Sequence, residues 1–221
     1  MTDRAIIYAC SHRRGGNSDR AAHWLADGVR EAGGQADIIF VREHEVRPCL
    51  ACGYCDDPGQ RRGRDLCVLG PGDAAWDLFE PLLSARVALF ASPIYFYHLP
   101  SMFKTWIDRG QQFWAARAEG ADWLTALPRR TARAVLVAGR PRGERLFDGA
   151  AVTLKYFLHN FSMTLDDPLV FRGVDGPEDL ADRPDRNAIV DLGRRAWADA
   201  PCDASPGPAG RSDPAPPCPE S

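Results

Sequence analysis

Apolar residues in this chain fall in short unbroken runs, and between the runs they recur at helical spacing. Residues 5–9, Ala-Ile-Ile-Tyr-Ala, form the first run. It is continuous rather than alternating, as in a parallel strand covered on both faces. After a polar loop, Asn17 and Ser18 offer N-caps to a helix. Its buried face carries Ala21, Trp24, Leu25, Gly28 and Ala32, and Gly33-Gly34 end it. Residues 36–41 predict a second strand. Asp73 can cap a helix with Trp76, Phe79, Leu82 and Leu83 on its apolar side. Residues 87–91 predict a buried strand that stops at Ser92-Pro93. From about Pro100 a helix is expected to bury Phe103, Trp106, Ile107, Gly110 and Trp114. Residues 134–138 and 169–171 predict two further strands, and residues 149–161 and 185–197 two further helices.

This alternation is the signature of an α/β fold, a doubly wound parallel sheet with helices on both faces. Right-handed crossovers then put a ligand site at the carboxyl ends of the strands. Residues 42–71 interrupt the pattern with a long connection rich in Cys, Gly, Pro and Arg. A connection of that length inside a domain is usually functional. From residue 201 the composition turns to Pro, Ser, Gly and Ala. The expected organisation is one domain over residues 1–200 and a disordered tail over 201–221.

The 221 residues are 45% apolar and 26% charged, with a formal net charge of −3, so nothing asks for a nucleic acid or another polyanion. The pairs Arg13-Arg14, Arg61-Arg62 and Arg129-Arg130 read as solvated faces. No apolar stretch approaches a signal-peptide core or a membrane span. The expected location is the cytoplasm, a reducing compartment, where seven cysteines point to ligands or buried thiols rather than disulfides.

Three segments at strand ends carry candidate chemistry. Ser11-His12-Arg13-Arg14-Gly15-Gly16-Asn17-Ser18 supplies hydroxyls, an amide, guanidinium groups and glycine-bared N–H groups, and it opens a helix whose N-terminus favours an anion. Phosphate binding competes here with a plain polar turn before a capped helix. The loop matches neither a dinucleotide fingerprint nor a Walker A loop. Tyr95, Phe96 and Tyr97 can wall a flat ring, or be simple core. His98 could contact a substrate, although a histidine at a helix start commonly caps or faces solvent.

With these segments in view, the chain resembles the NADPH-dependent FMN reductases and iron–sulfur flavoproteins. Cys10 to Ser18 is similar to their phosphate loop, Gly-Ser-x-Arg-x-x-Gly-Asn-Ser/Thr, with Cys10 in place of the first Gly. Ala91-Ser92-Pro93-Ile94-Tyr95-Phe96 is similar to their flavin-ring loop, and Lys104 to Arg109 to the helix after it. The resemblance implies a flavodoxin-like sheet of order 2-1-3-4-5 with FMN at the switch point. It implies that Ser11, Arg13, Gly16, Asn17 and Ser18 hold the phosphate, and that Pro93, Ile94, Tyr95 and Phe96 line the isoalloxazine. Gly139 and Arg140 would close the ring's other edge. The family often forms homodimers that complete the flavin site, and the aromatic stretch from Trp106 to Trp123 suggests an interface.

Cys49-Leu-Ala-Cys52-Gly-Tyr-Cys55, followed by Cys67, has thiol spacing suited to a [4Fe–4S] cluster. In iron–sulfur flavoproteins a more compact four-cysteine motif occupies this connection. Free thiols and zinc are the competing readings. Cys202 and Cys218, in the tail, are expected to ligate nothing. The leading function is an NAD(P)H-dependent flavin oxidoreductase passing electrons to a quinone, flavin or other small-molecule acceptor. An electron-transfer protein docking a redox partner and a non-catalytic flavin binder are the alternatives.

Overall fold

The computed structural model describes residues 1–60, 66–176, 179–180 and 185–201. The expected tail beyond residue 201, with Cys202 and Cys218, and the Arg61-Arg62 pair lie outside the described residues. In chain order the elements are β1 (Thr2–Ala9), α1 (Asn17–Glu31), β2 (Ala36–Phe40), α2 (Ala75–Ser84), β3 (Ala85–Pro93), α3 (Ser101–Arg109), α4 (Gln111–Ala118), α5 (Asp122–Thr125), β4 (Arg130–Ala138), α6 (Asp148–His159), β5 (Met163–Leu165), β6 (Leu169–Arg172) and α7 (Arg186–Ala198). The sheet runs β2-β1-β3-β4-β5, all parallel, and β6 also pairs with β4. The fifth position is therefore shared by two short strands, of which the apolar pattern predicts only the second.

Both sheet faces are buried, and the strands divide their side chains between them as pleating requires. Ile6 and Tyr8 of the first strand, with Cys10 just after it, point to one core, built with α2, α3, α4 and α6. Ala5, Ile7 and Ala9 point to the other, built with α1 and α7. α1 and α7 pack backbone to backbone. A Cβ on Gly28 would stand 2.0 Å from the Val190 carbonyl oxygen, and one on Gly193 would stand 2.2 Å from that of Leu25.

Three expectations need correction. The N-cap of α1 is Gly16, with no side-chain cap bond, and Asn17 is already helical. The helix after Pro100 breaks at Gly110, which turns the next face. Phe113 faces inward instead of Trp114, with its ring 4.6 Å from Phe79 and 4.9 Å from Phe161, while Trp114 is exposed. Arg130 is buried rather than solvated. Its guanidinium donates to the carbonyls of Leu82, Ala85 and Phe161, and burial pulls its pKa down to about 10. Those carbonyls stand near the ends of α2 and α6, where partial negative charge accumulates.

Candidate functional site

A cavity of about 690 Å³ opens at the carboxyl ends of β1, β3 and β4. The structure brings all eleven candidate flavin residues to its wall. Ser11, Arg13, Gly16, Asn17 and Ser18 come from the loop after β1 and the start of α1. Pro93, Ile94, Tyr95 and Phe96 come from the end of β3, and Gly139 and Arg140 from the loop after β4. Tyr97, Leu146, Val174 and Asp175 complete much of the lining.

The first loop is shaped by its own short-range bonds. The Cys10 N–H continues the sheet by donating to Ala91, and the buried Ser11 hydroxyl accepts the Arg13 N–H at 3.1 Å. Gly15 has φ +67°, which a side chain would resist. Asp19, in the first turn of α1, accepts the Gly15 N–H at 2.8 Å and pairs with Arg42. Asn17 ties the loop to the segment after β6. Its amide donates to Gly176 at 2.6 Å and accepts from Leu180 at 3.1 Å. Its side chain is thus engaged by protein. What Asn17 offers the cavity is its N–H, together with the others of the first helical turn, which have no intrahelical acceptor. The Arg13 guanidinium is exposed and bonds nothing among the described residues. Free N–H groups, a hydroxyl and an unpaired guanidinium at a helix N-terminus are the donor set of a phosphate site.

The second loop is a tight turn. Tyr95 and His98 exchange backbone hydrogen bonds at 2.9 and 3.0 Å, and the two residues between them, Phe96 and Tyr97, have φ of +49° and +65°. Two adjacent aromatic residues in the left-handed region store strain, a pattern that clusters at ligand sites. The turn rests on α6, where a Cβ on Gly149 would come within 3.0 Å of the Tyr97 carbonyl oxygen. His98 reaches the Thr153 hydroxyl at 3.0 Å, so this histidine braces the turn on α6. His12 joins the two loops. Its ring meets Tyr95 edge-on at 5.8 Å, and its Nε2 accepts the Met102 N–H at 3.3 Å, capping α3. Across the opening, Arg140 stands 5.6 Å over the Tyr97 ring.

The four candidate metal cysteines, Cys49, Cys52, Cys55 and Cys67, line a second cavity of about 500 Å³, shared with Asp56, Thr105 and Asp108. Cys49 and Cys52 are exposed, Cys55 and Cys67 half-buried, and none is in a disulfide. Burial pushes the Cys55 thiol up, and the neighbouring Asp56 adds to it. Among the described residues no three Cys, His, Asp or Glu side chains converge on one ion position. A single zinc needs all its sulfurs about 2.3 Å from one point. A cubane takes its thiolates at four separated irons.

The base of this loop is pinned. Asp73 accepts the Arg47 N–H at 3.0 Å and is ion-paired with Arg109, both side chains being almost wholly buried. Burial would raise the Asp73 carboxyl, but hydrogen bonds from Arg109 and from the Ala75 and Arg47 N–H groups outweigh it and hold the pKa below its ordinary value.

A family model described as NADPH-dependent FMN reductase matches residues 4–143. An iron–sulfur flavoprotein of Methanosarcina thermophila is 30% identical over 99 residues, 45% of this chain and 48% of that protein. The match thus spans about half the length of this curated relative. Among solved structures, a flavone reductase superposes with a TM-score of 0.63 at 16% identity, covering 88% of this chain and 62% of the other. The NAD(P)H:quinone oxidoreductase of Methanothermobacter marburgensis gives 0.59 at 17% identity, covering 88% and 92%. At such identities the superpositions speak for the flavodoxin-like fold. No described helix is long and apolar enough to cross a membrane. By the family match, which takes in the loops after β1 and β3, the chain belongs to the NADPH-dependent FMN reductase family.

Proposed function

We propose that the chain is an NAD(P)H-dependent oxidoreductase that holds FMN in the cavity at the strand ends and delivers electrons to a small-molecule acceptor such as a quinone or a flavin. One observation carries this reading: eleven residues from three separate loops, among them a set of anion donors and an aromatic turn, line a single cavity. Bound FMN would supply the hydride and electron chemistry, which the protein need not provide itself. The chain's part is binding and orientation. Ser11, Arg13 and the N–H groups of Gly16, Asn17 and Ser18 would hold the phosphate. Pro93, Ile94, Tyr95 and Phe96 would wall the ring, and Gly139 and Arg140 would bound its other edge.

Cys49, Cys52, Cys55 and Cys67 would hold a [4Fe–4S] cluster, supported by their common cavity and by the relative's description as an iron–sulfur flavoprotein. That second centre favours a second reading, in which the protein relays electrons to a docked redox partner. A homodimer fits the exposed Trp114 and Trp123. A cytoplasmic location and a single domain over residues 1–200 belong to the same proposal.

The test is anaerobic purification followed by an absorption spectrum and stopped-flow mixing with NADPH and NADH, without any protein partner. Flavin absorption that bleaches on mixing, with turnover on a quinone, is the expected result. Flavin that a nicotinamide cannot reduce would favour the partner-docking reading. Protein that binds no flavin would remove both.

A further inference from the structure

A helix N-terminus that receives a phosphate is a poor place for a carboxylate, because two anions then compete for one set of donors. α1 nevertheless carries Asp19 in its first turn, buried. Both of its oxygens are committed. One accepts the Gly15 N–H at 2.8 Å, and the other accepts Arg42 Nη1 at 2.8 Å. The Arg42 side chain is 8% exposed and that of Asp19 is 5% exposed. Arg42 comes shortly after β2 and is stacked 4.5 Å over the Phe40 ring. The same Nη1 also lies 3.3 Å from the carbonyl oxygens of Ser11 and Arg13.

This contact pattern does two things to the loop. It neutralises the carboxylate that would otherwise oppose a dianion. It also holds two carbonyl oxygens on the Arg42 side. Through those carbonyls, and through the Gly15 N–H that Asp19 accepts, the pair fixes the path of the backbone from Ser11 into the start of α1, where Gly16, Asn17 and Ser18 line the cavity. Successive N–H groups in a turn can make an anion-binding concavity. Neither Arg42 nor Asp19 lines the cavity itself.

We propose that the buried Arg42–Asp19 pair is the positioning device of the phosphate loop, and that it sets the preference for FMN over its dephosphorylated form, riboflavin. This rests on the reading of the cavity as an FMN site. A pair that merely stabilised the fold would affect both ligands alike, since they share the ring and the ribityl chain. A pair that shapes the anion nest acts on the phosphate alone.

The experiment titrates full-length apoprotein with FMN and, separately, with riboflavin, reading the quenching of flavin fluorescence. The variants are Arg42→Met, Arg42→Lys and the double variant Arg42→Met with Asp19→Asn. Arg42→Met should weaken FMN by about 30-fold and riboflavin by less than about 3-fold, in the range expected for loss of charged hydrogen bonds. Arg42→Lys should fall between wild type and Arg42→Met. The double variant should recover part of the FMN affinity, because the opposing carboxylate is gone. Equal weakening of both ligands, or FMN binding unchanged across the series, would overturn the proposal. If Arg42→Met does not fold, the lysine and double variants give the same comparison. Wild-type protein that binds neither flavin would instead bring down the FMN reading. Wild-type protein that prefers FMN, with a ratio the variants leave flat, would bring down the clamp alone.

Discussion

The cavity at the strand ends and the cavity of cysteines differ in what shapes them. The first is walled by residues within a few positions of hydrogen-bonded strands, and its loops are cross-tied by His12, Asn17, His98 and Arg42. Such a wall exists before any ligand arrives, which lowers the ordering cost of binding. The second is walled largely by residues 48–56 and 67–69, where regular structure amounts to a short 3₁₀ turn, and α3 and α4 add only one side. Its fixed point is at the base, where Arg47, Asp73 and Arg109 meet. With a metal centre bound, a site of that kind would take its final shape from the metal. The two sites should therefore respond oppositely to perturbation. Ligand removal should leave the first in place and loosen the second.

The largest test of this contrast is Cys52→Ala. Anaerobic wild-type protein is expected to carry about four irons per chain, and the variant almost none. FMN content should stay unchanged, because no cysteine of the loop lines the flavin cavity. Iron analysis and the flavin spectrum of one preparation read both. Wild-type protein that is iron-free and yellow, with titratable thiols, would remove the cluster and leave a plain flavin reductase. Joint loss of iron and flavin would show that the two cavities are not independent.

Next is the pinned base. Arg109→Leu leaves Asp73 buried beside an apolar side chain, and breaking such a pair costs about 3–5 kcal/mol. The pair also predicts a pH dependence. Asp73 is held below its ordinary pKa in the folded chain, so its contribution is present above about pH 4 and is lost as pH falls through the lower folded value. Wild-type stability should therefore drop on acidification more steeply than that of the variant. Parallel acid limbs in urea melts would show that Asp73 is not the group responsible.

Much of the first cavity is legible in the sequence because its parts are local. The apolar runs at residues 5–9 and 87–91 mark central strands, and a loop leaving the carboxyl end of a parallel strand faces the ligand side. The cysteines are legible by spacing alone. The features that escape depend on contacts distant along the chain. Arg42 and Asp19 lie 23 residues apart, and Arg109 and Asp73 lie 36 apart. Nothing in the local pattern distinguishes them from surface charges, and Arg130 reads as solvated for the same reason. Met163–Leu165 escapes because three residues so soon after a helix carry no period of their own. Trp114 takes the wrong face in the pattern because one glycine resets the helical phase. Asp175 lines the first cavity from the segment after β6, without a motif to announce it.

A smaller effect sharpens the account of the rigid cavity. Arg13→Ala removes a guanidinium that bonds no protein group among the described residues, so the fold should be indifferent and Tm unchanged. FMN binding should weaken by about 1.5–3 kcal/mol, the range for a hydrogen bond to a charged partner. Riboflavin binding should not change. Equal affinity of wild type and variant for FMN would take Arg13 out of the site.

The smallest expected effect concerns the strained tip. Phe96 is fully exposed, at 101% of its reference area, and has φ +49°. It gains nothing from packing, yet it occupies a backbone region that costs a bulky residue about 1–2 kcal/mol. Asparagine tolerates that region and suits this position of a tight hairpin turn. Phe96→Asn should therefore stabilise the flavin-free protein by about 0.5–1 kcal/mol, a rise in Tm of a few degrees at most. The same change should weaken riboflavin, which tests the ring without the phosphate, because one panel of the wall is lost. Stability and affinity would move in opposite directions from a single substitution, as expected where strain is retained for ligand contact. A fall in Tm would show that Phe96 packs on its own chain or on a second copy. A rise in Tm with riboflavin affinity unchanged would take Phe96 out of the ring wall.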